Sequence, residues 1–162
     1  WEVTLLGDRE FPPEDGDTYL DNARIKARFG RGLAQDDAWV LGEDSGIEVD
    51  GLGGRPGVHS ARFAAGDPVG RLLAELNGVE DRRARYVCEL VALDAGGTER
   101  RGTGTLEGRI ATEPRGSEGF GYDPIFVPDG EALTVAELGD DWKRHNSHRA
   151  RAAAALRHAL ET

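Results

Sequence analysis

The stretch that most limits how this chain can fold is Gly42-Glu43-Asp44-Ser45-Gly46, which directly follows the apolar run Trp39-Val40-Leu41. The apolar run reads as a short buried strand. Ser45-Gly46 reads as a sharp turn, since glycine tolerates backbone angles that other residues resist. Two adjacent carboxylates are thereby presented at a strand end, where α/β proteins tend to place their chemistry. Neighbouring strand residues point to opposite faces, so only one of Glu43 and Asp44 is expected to face a cleft. Taken alone, the stretch reads equally well as a solvated acidic turn and as a metal site.

A chain of 162 residues suits one domain spanning 1–162 with a substantial core. No apolar run approaches the length of a membrane span. The N-terminus shows no basic segment followed by an apolar one, so no signal peptide is expected. Cys88 is the only cysteine, which excludes a disulfide framework and a cysteine-rich metal site. Its place in the run Tyr86-Val87-Cys88 suits a small core residue. These features point to the cytoplasm and away from a membrane. A formal charge of -10 argues against broad nucleic-acid affinity, which needs clustered basic residues. It leaves room for a small polyphosphate ligand, because a bound divalent cation reverses the local sign. Lys26 and Lys143 are the only lysines among many arginines, a weak pointer to places that need a compact ammonium.

Along the chain, residues 1–6 alternate as a strand, and 7–16 form a polar loop carrying Glu10, Glu14 and Asp15. Asp17 or Thr18 caps a helix over about 19–29. Ile47-Glu48-Val49-Asp50 alternates as a second short strand with its acids on an exposed face. Residues 51–57 are a glycine-rich turn without Walker or dinucleotide-binding spacing. Asp67-Pro68 opens a helix. A hairpin joins 85–93 to 98–110 around Asp94-Ala95-Gly96-Gly97. Ile125-Phe126-Val127 is a short strand, and Thr134 with Glu137 forms a capping box. Ser147 caps a last helix to about Leu160, with Ala153, Leu156 and Leu160 inside. Helices interleaved with strands predict an α/β domain with a mixed sheet.

Four stretches carry chemistry. Asp44, helped by the loop acid Glu14, suits Mg²⁺, which takes few carboxylates and keeps several waters. Phe120 lies between glycines in Gly119-Phe120-Gly121-Tyr122-Asp123, where it either stacks on a flat ring or plugs the sheet. Ser147 places His148 and Arg149 in a helix first turn, near Lys143 in sequence. That turn is basic against the helix dipole, a local misfit that favours a functional role. His148 and Arg149 there would donate to a keto oxygen and reject an amino group. Asn22 and Lys26 share one helix face, from which Lys26 can reach a phosphate.

Together these residues resemble the inosine triphosphate pyrophosphatase family. The matching stretches, in the family's order, are 22–28, Glu43 through Asp50, Leu52 through Phe63, Gly119 through Phe126, and Ser147-His148-Arg149. The resemblance implies a mixed central sheet in two lobes around a substrate cleft, a homodimer, and Mg²⁺ dependence. It implies hydrolysis of ITP, dITP, XTP and dXTP to the monophosphate and pyrophosphate. It assigns Asp44 as the catalytic carboxylate and, with Glu14, as metal ligand. Lys26 and Ser45 would contact substrate. Phe120, Gly121, Tyr122 and Asp123 would form the base pocket, Lys143 fits the family's substrate-binding lysine, and His148 and Arg149 would read the 6-keto group. The family's opening strand and Thr/Ser-x-Asn-x-x-Lys phosphate loop have no match here, so the chain is expected to be N-terminally incomplete. A nucleotide- or metal-binding module without turnover, a pyrophosphatase for other modified nucleotides, and a metal-free carboxylate-pair glycosidase are the alternative readings.

Overall fold

The computed structural model describes residues 3–7, 10–34, 37–63 and 66–162. Its spine is a five-stranded sheet ordered β2-β1-β3-β4-β5. The strands are β1 (Val40–Val49), β2 (Arg55–Pro56), β3 (Arg83–Leu93), β4 (Glu99–Ile110) and β5 (Phe126–Pro128). Every pairing among these described strands is antiparallel. The α/β class holds, but the described sheet is antiparallel rather than mixed, because β3 and β4 are one long hairpin and β1 runs opposite to β3.

β1 departs from the sequence reading. Ser45-Gly46 is not a turn: the chain stays extended from Val40 to Val49, and Ser45 and Gly46 pair with Cys88 and Val87 of β3. The expected second strand at Ile47-Glu48-Val49 is the end of this same strand. Gly46 serves close approach rather than turning, since a Cβ there would lie 2.5 Å from the Gly57 carbonyl and 2.6 Å from Ser60 Oγ. The strand expected at 1–6 is not found at 3–6, where Val3 and Leu5 are exposed. Trp1 and Glu2 lie outside the described residues.

Helices cover both faces. α1 (Tyr19–Arg31) is capped by Thr18, whose side chain accepts from the Asp21 amide, and packs on β1 and β3. α5 (His148–Glu161) is capped by Ser147 and packs on β4 and β3. α2 (Ser60–Phe63), α3 (Pro68–Glu75) and α4 (Val135–Asn146) complete the set. α4 carries the expected Thr134–Glu137 capping box and bends at Gly139. In α5 the inner side is His148, Ala152 and Leu156, a four-residue repeat, and not Ala153, which is exposed. Gly104 faces that stripe, because a Cβ there would sit 2.1 Å from the His148 carbonyl. Small residues on both sides bring the start of α5 down onto the sheet.

The described core forms two clusters. One gathers Ile47, Val49, Tyr86, Leu106, Ile110, Phe126 and the leucines of α3; the other gathers Ala23, Ala27, Val91 and Leu93. β3 runs through both, with Tyr86 in the first and Val91 and Leu93 in the second, so the two expected lobes share a strand. Glu43, Asp44 and Ser45 lie between them.

Candidate active site

Asp44 is held on the α1 face of β1. α1 approaches closely because Gly42 has no side chain: a Cβ there would meet the Ala23 carbonyl at 2.1 Å and the Ala27 amide at 2.6 Å. That approach brings two polar side chains of α1 onto Asp44. Asn22 Nδ2 donates to Asp44 Oδ2 at 3.2 Å, and Lys26 Nζ donates to Oδ1 at 2.9 Å. The Lys26 ammonium also reaches Glu14 Oε1 and the Glu43 carbonyl, each at 2.9 Å. The Gly16 amide donates to Asn22 Oδ1 at 2.9 Å, which ties the acidic loop to the helix.

Burial sets the electrostatics here. Desolvation raises the Asp44 pKa despite the hydrogen bonds from Lys26 and Asn22 that oppose it. Desolvation also works against the Lys26 ammonium, but hydrogen bonds and charge from Glu14 and Asp44 outweigh it and leave its pKa raised. The centre is therefore one cation between two carboxylates. Carboxylates are the donor type that a hard ion such as Mg²⁺ takes, with waters and substrate phosphates completing its shell. The described residues contain no cluster of three or more His, Cys, Asp or Glu that would cage a metal without such help.

The opposite face of β1 lines a cleft of about 240 Å³ with Ser45, Phe120, Gly121, Tyr122, Asp123, Lys143, His148 and Arg149. Asp123 organises it. Its Oδ1 accepts from Tyr86 Oη at 3.2 Å, and its Oδ2 accepts from the Phe120 amide at 2.9 Å and from Lys143. Phe120 itself is 64% exposed, with Lys143 Nζ 3.8 Å from its ring centroid. One face of that ring is thus backed by a cation. Tyr122 is buried, and its hydroxyl donates to the Ser60 carbonyl at 3.1 Å, so it offers the cleft only its ring.

His148 is buried against Tyr86, the two rings stacked at 4.6 Å and 11°. Burial, then the nearby Arg149 and Lys143 charges, pushes its pKa down to about 3. The imidazole is neutral at physiological pH, and Nδ1 has no hydrogen-bond partner among the described residues. Arg149 Nε donates to Glu43 Oε1 at 3.1 Å and Arg149 Nη2 to Ser45 Oγ at 2.8 Å. Lys143 and Arg149 are donors only, and the Asp123 carboxylate is already engaged. Such a cleft favours a flat ligand whose edge carries acceptor oxygens.

The structure thus brings Phe120, Gly121, Tyr122, Asp123, Lys143, His148 and Arg149 together with Ser45. It places Glu14, Lys26 and Asp44 together on the other side of the same strand. Sequence reasoning passed over Tyr86, which packs against His148 and hydrogen-bonds Asp123. The available signal was a phenol within a strand, since a buried hydroxyl needs a partner.

The Ham1 family model matches residues 2–159. A relative named dITP/XTP pyrophosphatase from Bdellovibrio bacteriovorus is 45% identical over 93% of this chain and 78% of its own length. One of the same name from Symbiobacterium thermophilum is 52% identical over 87% of this chain and 73% of its own. Among solved structures, the Staphylococcus aureus Ham1 protein superposes with a TM-score of 0.85 at 35% identity, covering 95% of this chain and 81% of that one. A Mycobacterium abscessus structure described as a nucleoside-triphosphatase / dITP/XTP pyrophosphatase gives 0.75 at 42% identity, covering 93% and 79%. With the family model matched nearly end to end, and with relatives this similar across most of their length, the chain belongs to the Ham1 family.

Proposed function

We propose that this chain hydrolyses nonstandard purine nucleoside triphosphates, ITP or dITP and XTP or dXTP, to the monophosphate and pyrophosphate, and so cleanses the nucleotide pool. The observation that carries the reading is the pair Asp44-Ser45. These consecutive residues of one strand face an acidic centre on one side and a donor-rich aromatic cleft on the other. A purine nucleotide has the matching halves: polyphosphate at one end, a flat base at the other. The relatives' names point to the same substrates.

In this reading Phe120 stacks on the base, and Lys143, His148 and Arg149 present donors to its 6-keto oxygen. An adenine amino group would bring a donor to donors and leave buried polar groups unpaired. Lys26 places its ammonium against a phosphate oxygen. Asp44, ionised and hydrogen-bonded by Asn22, takes the proton of the attacking water. The α–β phosphoanhydride breaks, and pyrophosphate leaves with the bridging oxygen. Glu14 and Asp44 would hold Mg²⁺, which supplies charge neutralisation on the phosphates when bound. The homodimer and the cytoplasmic location that the resemblance implies belong to the same proposal. No helix among the described residues is long and apolar enough to cross a membrane. Sedimentation measures the dimer.

The deciding experiment is pyrophosphate release from ITP, with ATP and GTP alongside, with and without Mg²⁺. Magnesium-dependent release from ITP and XTP with little from ATP is expected. Equal release from ATP would refute the assignment of the cleft, and release without a divalent ion would refute the metal.

A further inference from the structure

Glu43 is a residue the reaction above does not use, yet it touches both halves of the site. Its main-chain carbonyl accepts from Lys26 Nζ on the α1 face, and its carboxylate accepts from Arg149 Nε on the cleft face. We infer that Glu43 is a positioning residue for base selection: its carboxylate fixes Arg149 at the cleft wall. This rests on the functional reading above.

The argument begins with the repulsion that the cleft must overcome. Lys143 Nζ lies 3.8 Å, and Arg149 Cζ 5.5 Å, from the centroid of the same Phe120 ring. Two cations gathered at one ring repel each other, and Arg149 also stands in the first turn of α5, where a cation is disfavoured by the helix dipole. Each cation is tied back by its own carboxylate, Lys143 by Asp123 and Arg149 by Glu43. Glu43 and Ser45 together hold the guanidinium at two nitrogens, Nε and Nη2, which fixes its plane as well as its place. With Glu43 gone, one neutral hydroxyl remains against both unfavourable fields, and the side chain swings toward solvent.

Both partners are partly exposed, Arg149 at 42% and Glu43 at 37%, so solvent screens the pair. The expected effect of losing it is about fivefold in affinity, the upper end for a screened pair. The test uses the monophosphates IMP and AMP, titrated calorimetrically, so that turnover is not required. Glu43→Ala is expected to weaken IMP about fivefold and to lower the IMP-to-AMP preference by a similar factor. Glu43→Gln keeps an acceptor for Nε but not the charge, and recovers only part of the loss. In an Arg149→Ala background, Glu43→Ala has no further effect. The Arg149 Nε–H signal in a ¹⁵N spectrum, protected from exchange in the parent, is lost in Glu43→Ala. A purely structural role would lower the melting temperature and leave the IMP-to-AMP ratio alone. A folded Glu43→Ala protein with the parent's ratio, or with Arg149 Nε–H still protected, overturns the inference while the functional reading stands. A parent protein with no preference for IMP over AMP sinks the functional reading, and this inference with it.

Discussion

Substituting Gly42 by alanine should disable the site without removing any functional group. The added Cβ would sit 2.1 Å from the Ala23 carbonyl oxygen and 2.6 Å from the Ala27 amide, both backbone atoms of α1. Ordinary contact starts near 3.5 Å, so the helix must retreat by about 1.4 Å or the strand must buckle. Lys26 can follow on its flexible stem. Asn22 cannot: its hydrogen bond to Asp44 is already 3.2 Å long, and a shift of this size breaks it. Asn22 is fully buried, so its amide would be left unsatisfied, at a cost of roughly 1–3 kcal/mol. Overpacking adds a similar amount. Displacing the partners of Asp44, the proposed general base, by an ångström is expected to lower turnover on the order of 100-fold. Urea unfolding reads the stability and pyrophosphate release from ITP reads the turnover, both on protein whose circular dichroism matches the parent. A folded Gly42→Ala protein with the parent's turnover would refute the claim that close α1–β1 approach builds the acidic centre.

Asp44→Asn should keep the fold and reduce ITP turnover by roughly 10²–10⁴-fold, the usual weight of a general base; near-normal turnover would remove Asp44 from the catalytic role. Because burial raises the Asp44 pKa, the group should ionise later on rising pH in the metal-free protein than an exposed aspartate does, which a pH titration of that protein checks. His148 gives a separate signal, in stability. Its folded pKa, near 3, lies below the unfolded value, so its contribution is complete above about pH 6.5 and is lost as pH falls toward 3. This one group should cost about 2 kcal/mol on going from pH 7.5 to pH 5. Denaturation at both pH values should show His148→Gln with a smaller drop than the parent, and an equal drop would mean that His148 protonates freely in the folded state.

Much of the local structure was legible in the sequence because its causes are local. Thr18, Asp67, Thr134 and Ser147 cap the helices expected of them, each accepting from an amide three residues on. Asp94 and the glycines after it make the hairpin turn that joins β3 to β4. The motif residues were equally visible as types: a neighbouring pair of acids, an aromatic between glycines, and a basic helix start. What failed was the reading of glycine. Gly46 looks like a turn by propensity, yet it lies mid-strand because Gly57 and Ser60 come too close for any side chain. Likewise Ala152 and not Ala153 faces inward, a choice made by Gly104 on the neighbouring strand.

The sequence by itself determined which groups are present and where helices begin, since capping and turn chemistry act over a few residues. Strand parity also required that Glu43 and Asp44 face apart. Only the tertiary structure decided which face receives the acidic centre and which the cleft. That follows from where α1 and α5 can dock, and docking depends on glycines paired with backbone far away in the chain. The neutral state of His148 is likewise a tertiary outcome, because burial against Tyr86 sets it first, and of the two cations that add to it only Arg149 is present in the Ser147-His148-Arg149 sequence.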